Sequence, residues 1–258
     1  MGIEKALRAA RDGGRKLLVP YVMGGMTDDW VEVVQAVVAA GADAVEVGIP
    51  FSDPMMDGPV IQEASVLALG RGTTPQAVID GVAAAQIGVP VAVMTYYNLV
   101  YRAGHRRMAR SLAEAGIGGA IVPDLSLEEI GPWAAEADDA GVDTVLLVAP
   151  STPDNRVAAI CRRAKGFVYA VARMGVTGER TDAASEASRV VDAVRRHTDT
   201  PVLVGVGVST PEQAAETCRV ADGVIVGSAL VRRLVEGGGP EAAATFVGEL
   251  RAAVDAST

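Results

Sequence analysis

The sequence predicts a single (β/α)8 TIM barrel with an N-terminal helix and extra helices. Three observations carry that expectation. Eight short runs rich in Val, Ile and Leu alternate with amphipathic segments of helical period. The runs are near-continuously apolar, which is the pattern of parallel strands covered on both faces. No linker, low-complexity stretch or shift in composition divides the 258 residues, so 1–258 reads as one domain. An open doubly wound sheet is the alternative, but no G-x-G-x-x-G follows the first strand to support it.

Taken in order, Ile3 to Ala10 reads as a short helix, and Lys16 to Met23 as the first strand. Pro20 inside that strand suggests an early end or an edge position. Thr27 can cap a helix over Asp28 to Ala40, which Gly41 stops. Ala44 to Gly48 is the second strand. Pro59 to Leu69 and Thr74 to Ile87 are helical in period. Val89 to Tyr96 is strand three, Asn98-Leu99-Val100-Tyr101 reads as the loop after it, and Gly104 to Ala115 as a basic-faced helix. Gly119 to Pro123 is strand four, followed by Asp124 and a capping box, Ser126 to Glu129. Strands five to eight read as Asp143 to Ala149, Phe167 to Ala172, Pro201 to Gly207 and Asp222 to Val226. Helices begin near Thr152-Pro153, Asp182, Thr210-Pro211 and Gly227, and the last covers Pro240 to Val254.

Composition excludes several function classes. The formal net charge of −9 argues against a nucleic-acid or anionic-membrane surface, both of which want clustered cations. The two cysteines, Cys161 and Cys218, lack C-x-x-C spacing and read as reduced, buried thiols. With only His105 and His197, no histidine-based metal site is visible. No signal peptide or membrane-spanning stretch is evident, so a cytoplasmic protein is expected.

The chemistry centres on Ala44 to Gln62, AVEVGIPFSDPMMDGPVIQ. Strand residues alternate between faces, so Val45, Val47 and Ile49 share one face and Ala44, Glu46 and Gly48 the other. Glu46 is then a lone carboxylate in an apolar strand, either paired to a barrel lysine or hydroxyl or kept as a proton carrier. Asp57 follows in a Pro-, Asp- and Gly-rich loop. Asp-Gly is a common turn pair, but an Asp there could also accept a substrate N–H. In a barrel the active site lies at the carboxyl ends of the strands, and Glu46, Asp57, Asp124, Tyr169, Thr177, Gly207 and Ser228 all fall near or just after such ends. Gly205, Gly207, Gly223 and Gly227 could be tight barrel corners. However, Gly207 ends strand seven and Gly227-Ser228 opens a helix, where backbone N–H groups bind phosphate. Gly178 could add another N–H. Arg173 to Asp182, RMGVTGERTD, is a polar loop that reads either as a solvated connection or as a lid.

The stretch resembles the signature of the tryptophan synthase alpha subunit family, in which a similar E-x-G-x-P-F-S-D-P-x-x-D-G-P-x-I-Q run carries both catalytic carboxylates. Tyr169 with the loop Gly175-Val176-Thr177-Gly178, the strand end Gly205-Val206-Gly207 and the pair Gly227-Ser228 fit the same family, in order along nearly the whole chain.

The resemblance implies retro-aldol cleavage of indole-3-glycerol phosphate to indole and glyceraldehyde 3-phosphate. Glu46 would be the acid and base, and Asp57 would hold the indole nitrogen. Tyr96, Tyr169, Thr177 and Val206 would bind substrate. Gly178, Gly207, Gly227 and Ser228 would bind its phosphate. No metal or organic cofactor is implied, since pyridoxal phosphate belongs to the partner beta subunit of the family. The expected assembly is an alpha2beta2 heterotetramer in which Asp53, Pro54 and Asn98 face that partner. Val206 stands where many members have Phe, Met56 replaces a small residue and Ala172 a frequent Ser. Gly25-Met26 interrupts the usual run after strand one. A stand-alone lyase releasing free indole, and a catalytically weak barrel kept to bind and activate a partner, remain as alternatives.

Overall fold

The computed structural model describes residues 2–171, 180–205 and 207–256, with the backbone alone for 180–185. Among these residues eight parallel strands close into a barrel in sequence order. They are β1 (Leu17–Met23), β2 (Val45–Gly48), β3 (Val91–Met94), β4 (Gly119–Ile121), β5 (Asp143–Val148), β6 (Val168–Val171), β7 (Val202–Gly205) and β8 (Gly223–Val226). Helices surround them: α1 (Glu4–Asp12), α2 (Trp30–Ala39), α3 (Pro59–Gly70), α4 (Pro75–Ala85), α5 (Tyr97–Ala103), α6 (His105–Glu114), α7 (Gly131–Ala140), α8 (Asp154–Arg163), α9 (Arg180–Arg195), α10 (Pro211–Val220), α11 (Ser228–Val235) and α12 (Gly239–Asp255). None of these helices is long and apolar enough to cross a membrane.

Local chemistry explains most boundaries. Thr74 and Thr210 accept the backbone N–H of Ala77 and Gln213, and Pro75 and Pro211 follow at the first helical position. Gly41, Gly116 and Gly141 leave their helices at positive φ, which glycine adopts without a Cβ penalty. Three sequence expectations need correction. Pro20 neither ends β1 nor lies at an edge, because the closed barrel has none. Instead β1 pairs with β8 through Leu17–Pro20 and with β2 through Tyr21–Met23, so the missing N–H falls where pairing passes from one neighbour to the other. Thr27 does not cap α2; Asp29 precedes its first residue without a side-chain cap bond. The Ser126–Glu129 pair forms a turn rather than the start of a helix, and α7 begins at Gly131.

The barrel has two apolar layers. Val45, Val47 and Ile49 pack outward against the helices, while Ala44 joins Leu17, Val19, Phe167 and Ile225 inside. Ile3 and Leu7 of α1 belong to the inner cluster and close the amino-terminal end. Gly119 and Gly166 lie directly against Ile3; a Cβ on Gly119 would come within 2.7 Å of it.

Near that end Asp43, just before β2, accepts Leu18 N–H at 2.8 Å and is ion-paired to Arg15 and to Arg251 of α12. Asp43 and Arg251 side chains are both only 8% exposed. Removing one partner of a buried pair strands the other charge, a loss of roughly 3–5 kcal/mol. Asp43→Ala is therefore expected to be severely destabilised in urea unfolding, while a surface change such as Asp80→Ala leaves the midpoint nearly unmoved.

Candidate active site

The carboxyl ends of the strands surround a cavity of about 460 Å³. Glu46 and Asp57 both line it, with Tyr21, Tyr169, Gly207, Gly227 and Ser228. Met94, Leu147, Val171, Ile225 and Ile61 supply apolar walls, and no Lys or Arg is among the described lining residues.

Glu46 points inward because it shares the face of Ala44, and the barrel interior leaves it 1% exposed. Its Oε2 has no hydrogen-bond partner among the described residues. Neither the barrel lysine nor the hydroxyl partner that would make it structural is there for that oxygen. Burial, aided by the negative charge of Asp57, raises its pKa from 4.5 to about 8. The group therefore holds its proton at neutral pH and can release it, as a two-way proton carrier must.

Asp57 is held differently. The Tyr96 hydroxyl donates to its Oδ2 at 3.0 Å, and its own N–H donates to Pro54 O at 3.0 Å. Burial raises its pKa, and the tyrosine hydrogen bond opposes that rise. Tyr96 itself is buried and lies outside the cavity wall, behind Asp57.

Tyr21 was not singled out from the sequence, yet it lines the cavity and pairs in register with Glu46 across β1 and β2. The signal was present: Leu17, Val19 and Tyr21 alternate onto one face of the first strand. Two glycines make room for the ring hydroxyls. A Cβ on Gly48 would lie 1.9 Å from the Tyr21 oxygen, and one on Gly205 would lie 2.3 Å from the Tyr169 oxygen. Burial holds both phenols well above their ordinary pKa, with the nearby carboxylates adding to the shift, so both stay protonated.

The remaining expected site residues are placed differently from one another. Gly207, with φ of 92°, and Gly227 and Ser228 at the start of α11 meet on the cavity wall beside Ser209. Gly205 and Gly223 are instead sites of close packing, the latter against Leu17. Thr177, Gly178 and Val206, together with Ala172 and the proposed lid up to 179, lie outside the described residues. Asp53 and Asn98 are exposed and Pro54 half-buried. Asp124 accepts the Tyr97 N–H at 2.9 Å and so closes the start of α5, a helix where a loop was expected. Its helical twist buries Val100 and leaves Tyr101 exposed.

The chain is similar to known proteins over nearly its whole length. The profile of the family described as "Tryptophan synthase alpha chain" matches residues 7–255. The tryptophan synthase alpha chain of Halorhodospira halophila is 46% identical, over 99% of this chain and 97% of its own length. That of Thermobifida fusca is 44% identical, over 99% and 98%. Among solved structures, a tryptophan synthase from M. tuberculosis superposes with a TM-score of 0.89 at 38% identity, covering 98% of this chain and 97% of the other. The alpha subunit from Legionella pneumophila gives 0.89 at 31% identity, covering 99% of both. An inward carboxylate on β2, a second on the following loop and a match over almost the whole length lead to one conclusion: the chain belongs to the tryptophan synthase alpha chain family.

Proposed function

We propose that the chain cleaves indole-3-glycerol phosphate to indole and glyceraldehyde 3-phosphate as the alpha subunit of a tryptophan synthase. The observation that carries the reading is Glu46: buried, unpaired at Oε2 and still protonated near neutral pH, in the same cavity as a second carboxylate. The Glu46 carboxyl gives its proton to indole C3, and positive charge develops at the ring nitrogen. Asp57 accepts that N–H and stabilises the charge. The Glu46 carboxylate then takes the proton from the side-chain hydroxyl next to C3. The carbon–carbon bond breaks, its electrons return to the ring, and the aldehyde forms. Glu46 ends with the proton it began with.

The phosphate fits the backbone N–H groups at Gly207, Gly227 and Ser228. A helix amino terminus favours an anion, and the cavity offers it no described lysine or arginine. The apolar walls suit indole. Free, buried thiols at Cys161 and Cys218 fit a reducing, cytoplasmic setting.

Surface exposure supports a beta-subunit partner. The large apolar side chains exposed among the described residues are Met55, Met56, Val66, Leu67, Leu69 and Tyr101. All lie on the loop and helix after β2 or on the helix after the adjoining β3. Met55 is 82% exposed, in the same loop as Asp57. Such concentration marks a binding face, and docking there would act on Asp57 directly.

Glu46→Gln should abolish indole release; general acid–base catalysis is worth roughly 10²–10⁴, so retention of more than about a tenth of wild-type turnover would overturn the assignment. Asp57→Asn should cut turnover as severely, and a rise in KM alone would make Asp57 a binding residue. The pH dependence of stability gives an independent check. From about 4.5 to about 8 the folded protein keeps a Glu46 proton that the unfolded chain releases, so this residue's contribution to stability falls as pH rises. Glu46→Gln should therefore gain melting temperature over the wild type progressively through that range; parallel melting curves would contradict it. A matching beta subunit should stimulate indole formation, and Asp53→Ala should weaken the stimulation more than the basal rate. No complex on sizing, with basal cleavage intact, would leave the stand-alone lyase.

A further inference from the structure

We propose that Tyr96 is the positioning residue for Asp57: a latch at the start of α5 that fixes the Asp57 loop and leaves one carboxylate oxygen for substrate. The inference rests on the role given to Asp57 above.

The latch is made of mutually dependent contacts. Tyr96 is 4% exposed and is the capping residue of α5, its carbonyl accepting Leu99 N–H at 3.0 Å. Its hydroxyl accepts Met56 N–H at 3.0 Å and donates to Asp57 Oδ2 at 3.0 Å. A phenol has one proton. With an N–H already directed at the oxygen, that proton is committed to Asp57. Oδ2 is thereby occupied, and Oδ1 is left for a ring N–H in the cavity.

Both ends of this arrangement are anchored. The Tyr96 ring stacks on Phe51, at 4.9 Å between centroids and 23° between planes. Phe51 is tied by its N–H and carbonyl to the buried Ser65 hydroxyl of α3, at 2.9 and 3.1 Å. On the other side, Asp124 from the turn after β4 takes the Tyr97 N–H. The Asp57 loop connects β2 to α3, yet its geometry is set by a side chain from the end of β3.

The titratable groups facing this point are Glu46 on β2, Tyr21 on β1 and Tyr169 on β6, with Asp124 acting on Tyr96 from the turn after β4. None is a cation. Tyr96 is the side chain that donates a hydrogen bond to Asp57 among the described residues. Hydrogen bonding to the ionised form lowers a carboxyl pKa. Removing the hydroxyl should therefore raise that of Asp57.

Tyr96→Phe tests this, since it keeps the ring, the stack on Phe51 and the α5 cap. Asp57 titration is followed by carbonyl 13C shift in aspartate-labelled protein, assigned with Asp57→Asn. Indole release from indole-3-glycerol phosphate is measured in parallel. The expected results are an Asp57 midpoint at higher pH, kcat down roughly tenfold or more and KM within about twofold, at a melting temperature close to wild type. In the Asp57→Asn background the same substitution should cost little further turnover. An unmoved Asp57 midpoint overturns the latch, whatever happens to turnover. A wild type that releases no indole would instead refute the proposed function, while the titration still reports on Tyr96.

Discussion

Placing Glu46 inside the barrel without a described cation costs several kcal/mol if the group ionises, and the protein meets that cost by leaving the proton on it. Much of the surrounding design follows. The strands on either side carry Tyr21 and Ala92 in register with Glu46, so no counter-charge is supplied from the ladder. Tyr21 and Tyr169 reach over the same space as neutral phenols. Gly48 and Gly205 at the strand ends exist in a form that lets those rings lie there, since even a methyl group would collide with them. A carboxyl held neutral by its surroundings is a proton reservoir.

Two carboxylates in one cavity would titrate alike if their settings were alike. The barrel separates them. Glu46 has desolvation and a negative neighbour, both acting to raise its pKa, whereas Asp57 has desolvation offset by a phenol donor. In the proposed reaction the first gives up and recovers a proton, and the second bears charge while a cation forms beside it. Distinct environments assign distinct roles to chemically similar groups.

The barrel and its strand count were legible in the sequence because both rest on local pattern. Apolar runs fix the strands and alternation turns Glu46 inward, whereas local pattern left Glu46 between a structural pair and a proton carrier and Asp57 between a turn residue and an acceptor, and the family resemblance singled them out. What escaped was of longer range. Pro20 looked like a strand end because sequence does not reveal that β1 changes its hydrogen-bonded partner there. Tyr97–Ala103 looked like a loop because seven residues are too few for a clear helical period, and its start is closed by Asp124, more than twenty residues away. Tyr96 resembled a pocket aromatic by position. Only the fold shows its hydroxyl turned to Asp57 rather than its ring turned to the cavity.

The stopper formed by Ile3 and Leu7 of α1 gives the barrel the topology of a flask, sealed at the base and open at the neck. Among the described residues, the doorway lies at the carboxyl ends of the strands, where Gly207, Gly227 and Ser228 are. Whatever binds deepest is the last to leave unless something at the neck receives it. A protein seated over that doorway controls traffic in both directions without touching the reacting atoms. With the base closed, a hydrophobic product made inside such a vessel can depart only by the route its precursor took in.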